Sequence, residues 1–162
     1  METTTMRKLA FFAPLAATLA VAAMAQAQPR VTVTVGPHLE RQVEELGQRE
    51  VNDQIGRLQT TVEQALQQRY PGATAELVLT DLKPNRPTRE QIRATPGLDP
   101  IRSISIGGAA IKGQIVTADG QRLPVDYSYF SDNLRDVRGY GVWRDADRAF
   151  ERLGDRIERG RF

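Results

Sequence analysis

The stretch that decides the fold runs Ile104-Ser105-Ile106-Gly107-Gly108-Ala109-Ala110-Ile111-Lys112-Gly113-Gln114-Ile115-Val116-Thr117, then Ala118-Asp119-Gly120, then Gln121-Arg122-Leu123-Pro124-Val125-Asp126-Tyr127-Ser128-Tyr129. Apolar residues recur at every second position on both sides of Asp119-Gly120, the period of a half-buried strand, so the segment reads as a long hairpin. Its register follows from which pairing keeps apolar groups together. A two-residue Asp-Gly turn would set Ile115 opposite Pro124 and Ile111 opposite Ser128, scattering apolar side chains over both faces. A three-residue turn with Gly120 left-handed sets Ile115 opposite Leu123, Gly113 opposite Val125 and Ile111 opposite Tyr127, and this is the expected register. It also places Lys112 across from Asp126 on the outer face. Pro124 cannot donate a ladder hydrogen bond, which puts its strand at an edge or turns that position outward.

Upstream of Ile111 the parity changes. Ile104 and Ile106 are even while Ile111 and Ile115 are odd, and a bulge at Gly107-Gly108 would hold all four on the buried side. A glycine pair after a strand can also present amides to an anion. A phosphate loop opens a helix, however, and here the strand pattern resumes at Ala109.

Working outward, Val31-Thr32-Val33-Thr34-Val35 alternates and stops at Gly36-Pro37, giving a first strand. Leu39, Val43 and Leu46 have helical spacing that Gly47 interrupts. Val51, Ile55, Leu58, Val62, Ala65 and Leu66 then lie on one stripe of a helix over about residues 48–69, closed by Tyr70-Pro71-Gly72. Residues 75–82 are nearly continuous in apolar character, as a central strand would be, and the strand-helix-strand order permits a right-handed crossover. Trp143, Ala146, Phe150, Leu153 and Ile157 mark a final helix. Its other side carries Arg144, Arg148, Arg152 and Arg156 beside Asp147, Glu151 and Asp155, with Arg148–Glu151 and Arg152–Asp155 pairs expected on a solvent-facing surface. The same row is what a headgroup-binding edge on anionic lipid would need.

Between the central strand and the hairpin, residues 83–102 lose all periodicity. Pro84, Pro87, Pro96 and Pro100 restrict this segment, and Thr88-Arg89-Glu90-Gln91 matches a capping box that predicts a short helix ending before Thr95-Pro96-Gly97. Connections of this length in compact domains are often functional. Asn85, Arg86, Thr88 and Arg102 are therefore the candidate partner-binding residues, the two arginines meeting a carboxylate or phosphate on a partner. The plainer role for those arginines is to pin the loop to Asp81 or Asp99.

Composition removes much else. The chain has 162 residues, no Cys and one His, so disulfide scaffolds, thiol nucleophiles and multi-histidine metal sites are excluded. His38 follows Gly36-Pro37 and reads as an exposed polar residue. Asp81, Asp99 and Asp119 lack the spacing of a calcium loop, and Ser103 and Ser105 lack a nucleophile elbow. No catalytic residue, metal site or cofactor is expected.

The N-terminus reads as an address. Arg7 and Lys8 precede an uncharged apolar run from Leu9 to Ala23, and small residues follow at Ala23, Ala25 and Ala27, the layout of a secretory signal peptide cut after Ala27, or alternatively after Ala25. The run contains Pro14 and is short for a membrane span, and no Cys follows it to take a lipid anchor. Removing residues 1–27 leaves 20 basic and 19 acidic residues. A surface so nearly balanced does not favour nucleic acid, whose binding rests on excess positive charge.

The Gly107–Ile115 strand, the Asp-Gly turn and the terminal helix opening Trp143-Arg144-Asp145-Ala146 resemble those of small exported bacterial envelope proteins of unknown function, many of them lipoproteins with a compact α/β domain. The resemblance covers roughly the last 60 residues. This chain departs from that pattern in having no lipidation Cys. The resemblance implies an envelope role and supplies no catalytic residues.

The expected architecture is α+β: a signal peptide over 1–27, then one two-layer domain over 28–162. About four mostly antiparallel strands carry two long helices on one face, in the order β-α-β-(loop and short helix)-β-β-α. The expected core comprises Val33, Val51, Ile55, Leu58, Val62, Leu66, Leu77, Leu79, Ile111, Ile115, Val125, Tyr127, Trp143, Phe150 and Leu153. The expected function is non-catalytic binding in the periplasm, to an envelope protein through the 83–102 loop. The competing class is a carboxylate-dependent hydrolase acting on a cell-wall or secreted substrate, which would need two acids in one concave pocket.

Overall fold

The computed structural model describes residues 27–162 except Arg138 and Tyr140. The signal segment therefore lies outside the described residues apart from Ala27. Four strands form one mixed sheet in the order β1 (Arg30–Val35), β2 (Thr74–Lys83), β3 (Gly108–Val116), β4 (Arg122–Phe130). β1 runs parallel to β2, while β2–β3 and β3–β4 are antiparallel. Two short helices, α1 (Pro37–Glu40) and α2 (Val43–Leu46), precede α3 (Gln48–Arg69); α4 (Arg89–Ala94) interrupts the connector, and α5 (Arg144–Glu158) ends the domain. The Leu39, Val43, Leu46 stretch is split into those two short helices at Arg41–Gln42, Gly47 separates α2 from α3, and all three side chains are buried.

The long helices lie side by side on one face, α3 over β1 and α5 over β3 and β4. They approach closely where Gly154 faces Thr61 and Ala65, an added Cβ there standing 3.1 Å from Thr61 Cγ2. Of the expected core, Val33, Ile55 and Tyr127 are only partly buried, packed on its margin, and the other twelve are buried. On the free edge of β1 the carbonyl of Val31 accepts from Gln59 Nε2 at 2.7 Å, so α3 covers one of the strand's outward groups.

The hairpin adopts the three-residue turn. Ile115 pairs with Leu123, Gly113 with Val125 and Ile111 with Tyr127, and Lys112 Nζ stands 3.3 Å from Asp126. Gly120 has φ +86°, the left-handed conformation that this turn requires. β4, which carries Pro124, is an edge strand.

Two expectations are corrected. β3 begins at Gly108, and Ile104 and Ile106 stand outside the sheet and exposed. The bulge is one strand over: the β2–β3 register slips between Leu79 and Asp81, inserting Thr80 and returning Leu82 to the buried face. The parity conflict between Leu79 and Leu82 is thereby resolved in β2, and Ile104 and Ile106 keep no partner in the sheet.

The arginine row of α5 is also arranged differently. Arg148 pairs with Asp145 at 3.4 Å rather than Glu151, and Asp155 lies 3.8 Å from Arg159 rather than pairing with Arg152. Arg152 and Arg156 lie over the rings of Tyr129 and Tyr127, 4.2 and 5.4 Å from their centroids. These guanidinium groups cover the tyrosine rings by cation–π contact.

Candidate functional site

The connector is a built structure, and its foundation is polar. As its sequence predicts, Thr88 caps α4: its hydroxyl accepts from the Gln91 N–H at 3.2 Å while Gln91 Oε1 accepts from the Thr88 N–H at 3.1 Å. Gln91 Nε2 also donates to Glu45 Oε1 at 3.0 Å, tying α4 to α2. Asn85 is 1% exposed and bonded on every side. Its N–H donates to Val142 O at 2.6 Å and its carbonyl accepts from the Ser105 N–H at 2.9 Å. The side-chain amide donates to Asp145 Oδ2 at 2.5 Å and accepts from the Asp145 N–H at 2.8 Å.

Asp145, itself buried in the first turn of α5, also takes hydrogen bonds from the Ser131 hydroxyl and from Arg148 Nη1, which reaches the Tyr129 hydroxyl at 3.2 Å. The Tyr129 hydroxyl bond holds Arg148 above its usual pKa. A buried carboxylate is tolerated only when so many donors compensate it, and the helix N-terminus adds its own favourable field. Gly107 is required here by close approach, because a Cβ would come within 2.6 Å of the Asn85 side chain.

Arg86 is buried too, its guanidinium donating to the carbonyls of Ile101 and Gly139, the latter at 3.0 Å. It pins the connector through main-chain carbonyls rather than through Asp81 or as an outward-facing cation. Of the four candidate residues, Asn85, Arg86 and Thr88 hold the loop from inside and Arg102 stands exposed. Asp99 shapes the turn beneath Arg102: its Oδ1 accepts from the N–H groups of Ile101 and Arg102, both at 2.7 Å. Those two donors hold the Asp99 carboxyl below its ordinary pKa.

The outer side of this structure carries unpaired apolar surface. Ile101 is 61%, Ile104 44% and Ile106 39% exposed. Ile104, Ile106 and Leu98 with Pro84 and Pro87 border a groove of about 390 Å³ that Lys83 and Arg86 also line. A second groove, about 410 Å³, lies on the inner side between the connector and α3. There Glu50 Oε2 accepts from the Trp143 indole N–H at 2.9 Å and Oε1 from the Arg89 N–H at 3.1 Å.

A third, wider depression between α3 and α5 holds Asp53, Asp147 and Glu151. Burial pushes the Asp147 carboxyl up, against the opposing pull of Arg57 at 3.2 Å. Among the described residues no group of three or more His, Cys, Asp or Glu is placed to hold a metal ion. His38 is exposed, 3.5 Å from Arg41. No described helix is long and apolar enough to cross a membrane.

Asp145, Ser131 and Glu50 are residues that sequence spacing did not mark, and for Arg148 and Trp143 it marked a place on the final helix without these partners. Their partners are distant in the chain, 60 residues for Asn85–Asp145 and 93 for Glu50–Trp143, so no local pattern records them. Comparison with known proteins finds no matching family model and no matching curated protein. Among solved structures the chain is similar to a "putative lipoprotein" from Caulobacter crescentus CB15, with 14% identity over 82% of this chain and 83% of that one and a TM-score of 0.33.

Proposed function

We propose that this chain is an exported, periplasmic, non-catalytic binding module of the bacterial envelope. Its segment 1–27 is a signal peptide removed after Ala27, and residues 28–162 act as one domain without a lipid anchor. The binding face is the outer side of the connector. The observation that carries this reading is the exposure of Ile101, Ile104 and Ile106 on a loop that Asn85, Arg86 and Thr88 brace from within. A loop held in one conformation loses little entropy on association, and isoleucines left exposed on it, Ile104 and Ile106 lining one groove, are what a protein interface presents. The occupant that fits is an apolar segment of an envelope protein carrying a carboxylate for Arg102. Asn85, Arg86 and Thr88 contribute by holding the shape of the face.

The test is capture from an envelope extract with the tagged protein and with an Ile104→Ser, Ile106→Ser, Arg102→Gln variant of unchanged melting temperature. A protein retained by the first bait, lost with the second, and then crosslinked to the purified domain at residues 101–106 supports the reading. An identical retained set with both baits overturns it.

A further inference from the structure

The sheet has two edge strands, and the chain treats them differently. On β4, the Thr117 N–H donates to Gln121 O at 3.0 Å, and the alternation of an antiparallel ladder then turns the backbone groups of Arg122, Pro124 and Asp126 outward. Pro124 has no N–H to offer there, which blunts that edge against a further strand. On β1, the N–H groups of Arg30 and Gly36 donate to Ala73 O and Leu79 O at 3.0 and 2.9 Å. Even-numbered residues therefore face β2, and Val31, Val33 and Val35 turn their N–H and C=O groups outward. Gln59 reaches the Val31 carbonyl, and the other outward groups have no hydrogen-bond partner among the described residues.

The unblunted edge is also a palindrome. Pro29-Arg30-Val31-Thr32-Val33-Thr34-Val35-Gly36-Pro37 reads the same in both directions about Val33 except for Arg30 and Gly36. An antiparallel copy centred on Val33 sets Val33 opposite Val33, Val31 opposite Val35 and Thr32 opposite Thr34. In that register every residue with outward backbone groups faces another such residue, so each free N–H meets a carbonyl. The Val31 carbonyl has two lone pairs and can hold Gln59 and a partner strand together. Side chains agree with the backbone. Thr32 and Thr34 lie exposed on the sheet face away from the helices. Val33 and Val35 face the core yet are only partly buried, whereas Leu77 and Leu79 beside them on β2 are fully covered. Ile55, one turn before Gln59 on the same row of α3, is partly buried too.

We propose that two copies of this chain associate through β1, antiparallel about Val33, so that their sheets join into one with a two-fold axis at that residue. A two-fold interface requires the same patch on both subunits to complement itself, and this edge does so in backbone and side chains alike. Val33, Val35 and Ile55 of each copy gain cover, the two α3 helices flank the axis on one face, and Thr32 meets Thr34 of the other copy on the opposite face. Pro124 opposes strand addition at the far edges, so assembly ends at the dimer. The interface does not depend on what the connector binds.

Sedimentation of the purified protein over a wide range of concentration is expected to show a monomer passing to a dimer and no larger species. Val33→Pro removes an N–H that faces the partner and leaves the ladder to β2 intact, so this variant is expected to stay monomeric where the parent is dimeric. Charge at the exposed threonines tests the register without touching the core. Thr32→Lys, Thr34→Lys sets like charges opposite each other across the axis and is expected to weaken the dimer roughly tenfold, whereas Thr32→Lys, Thr34→Glu sets opposite charges together and is expected to restore it. The chain has no Cys of its own. A mixture of the Thr32→Cys and Thr34→Cys proteins is therefore expected to form a disulfide-linked dimer far faster than either protein alone. A parent that stays monomeric at every concentration overturns the proposal. So does a dimer that the two charge variants leave equally strong, or crosslinking no faster in the mixture than in its components.

Discussion

Asn85 and Asp145 clasp each other through two hydrogen bonds, side-chain amide to carboxylate at 2.5 Å and backbone N–H back to amide oxygen at 2.8 Å, and so fasten the connector to the start of α5. Both residues are 1% exposed, so neither can exchange a lost partner for water. Asn85→Ala is expected to cost about 1–3 kcal/mol in urea unfolding, and Asp145→Ala about 3 kcal/mol because Ser131 is left without an acceptor, Asn85 keeps only its 3.4 Å bond to Ser105 O, and Arg148 loses its carboxylate. The double variant should cost less than the sum, by about 0.5–3 kcal/mol. Additive losses would mean that the two side chains do not act as one unit.

This clasp shows where sequence reading stops. The hairpin register was legible because Ile111, Ile115, Val125 and Tyr127 obey a two-residue period around a turn that needs Gly120. The helix over 48–69 and the Thr88–Gln91 capping box were legible for the same reason: each is written within a few residues of itself. Asn85 was singled out as a surface residue, since an Asn between prolines has no local sign that its amide is buried against a helix far along the chain. The bulge was misplaced because parity within 104–115 shows that a strand changes face without showing whether Ile104 and Ile106 belong to it. Leu79 and Leu82 carried the corresponding signal in β2.

Gly56 and Gly120 are expected to respond oppositely to alanine. Gly56 lies inside α3 with no positive φ, and an added methyl there would meet nothing within 4 Å, so Gly56→Ala should stabilise by about 0.5–1 kcal/mol. Gly120 has the same open space but φ +86°, and Gly120→Ala should destabilise by about 1–2 kcal/mol. Thermal melts of the two variants check the pair. A loss at Gly56 would show that the helix interior there is constrained by something besides propensity.

The cover over the tyrosines makes a separate prediction. Arg152 is exposed by area yet lies over the Tyr129 ring at 4.2 Å. Replacing it by Gln is expected to cost about 0.5–1 kcal/mol, whereas Arg144→Gln, on the same row, should change stability by less than about 0.5 kcal/mol. Equal effects at the two positions in chemical denaturation would reduce the ring contact to coincidence. The same contact bears on lipid: guanidiniums engaged with tyrosine faces are less available to headgroups, so liposomes with anionic lipid should retain little protein even at low salt.

Acid titration should show two carboxylates acting with opposite sign. Asp99 is held below the ordinary value of 3.8 by the Arg102 and Ile101 N–H groups. Its stabilising contribution is therefore fully present above 3.8 and is lost as pH falls through its lowered folded value. Asp147 is shifted up, chiefly by burial, so its ionisation is unfavourable in the fold, and stability from this group rises as pH falls from its raised folded value toward 3.8. NMR titration should therefore move the Ile101 and Arg102 amides with a midpoint below 3.8, and the Asp147 side chain with one above it. Asp147→Asn should remove the gain in stability just above 3.8 while leaving the Ile101 and Arg102 transitions in place. An Ile101 amide that titrates at 3.8 or higher would mean that Asp99 does not hold the turn beneath Arg102.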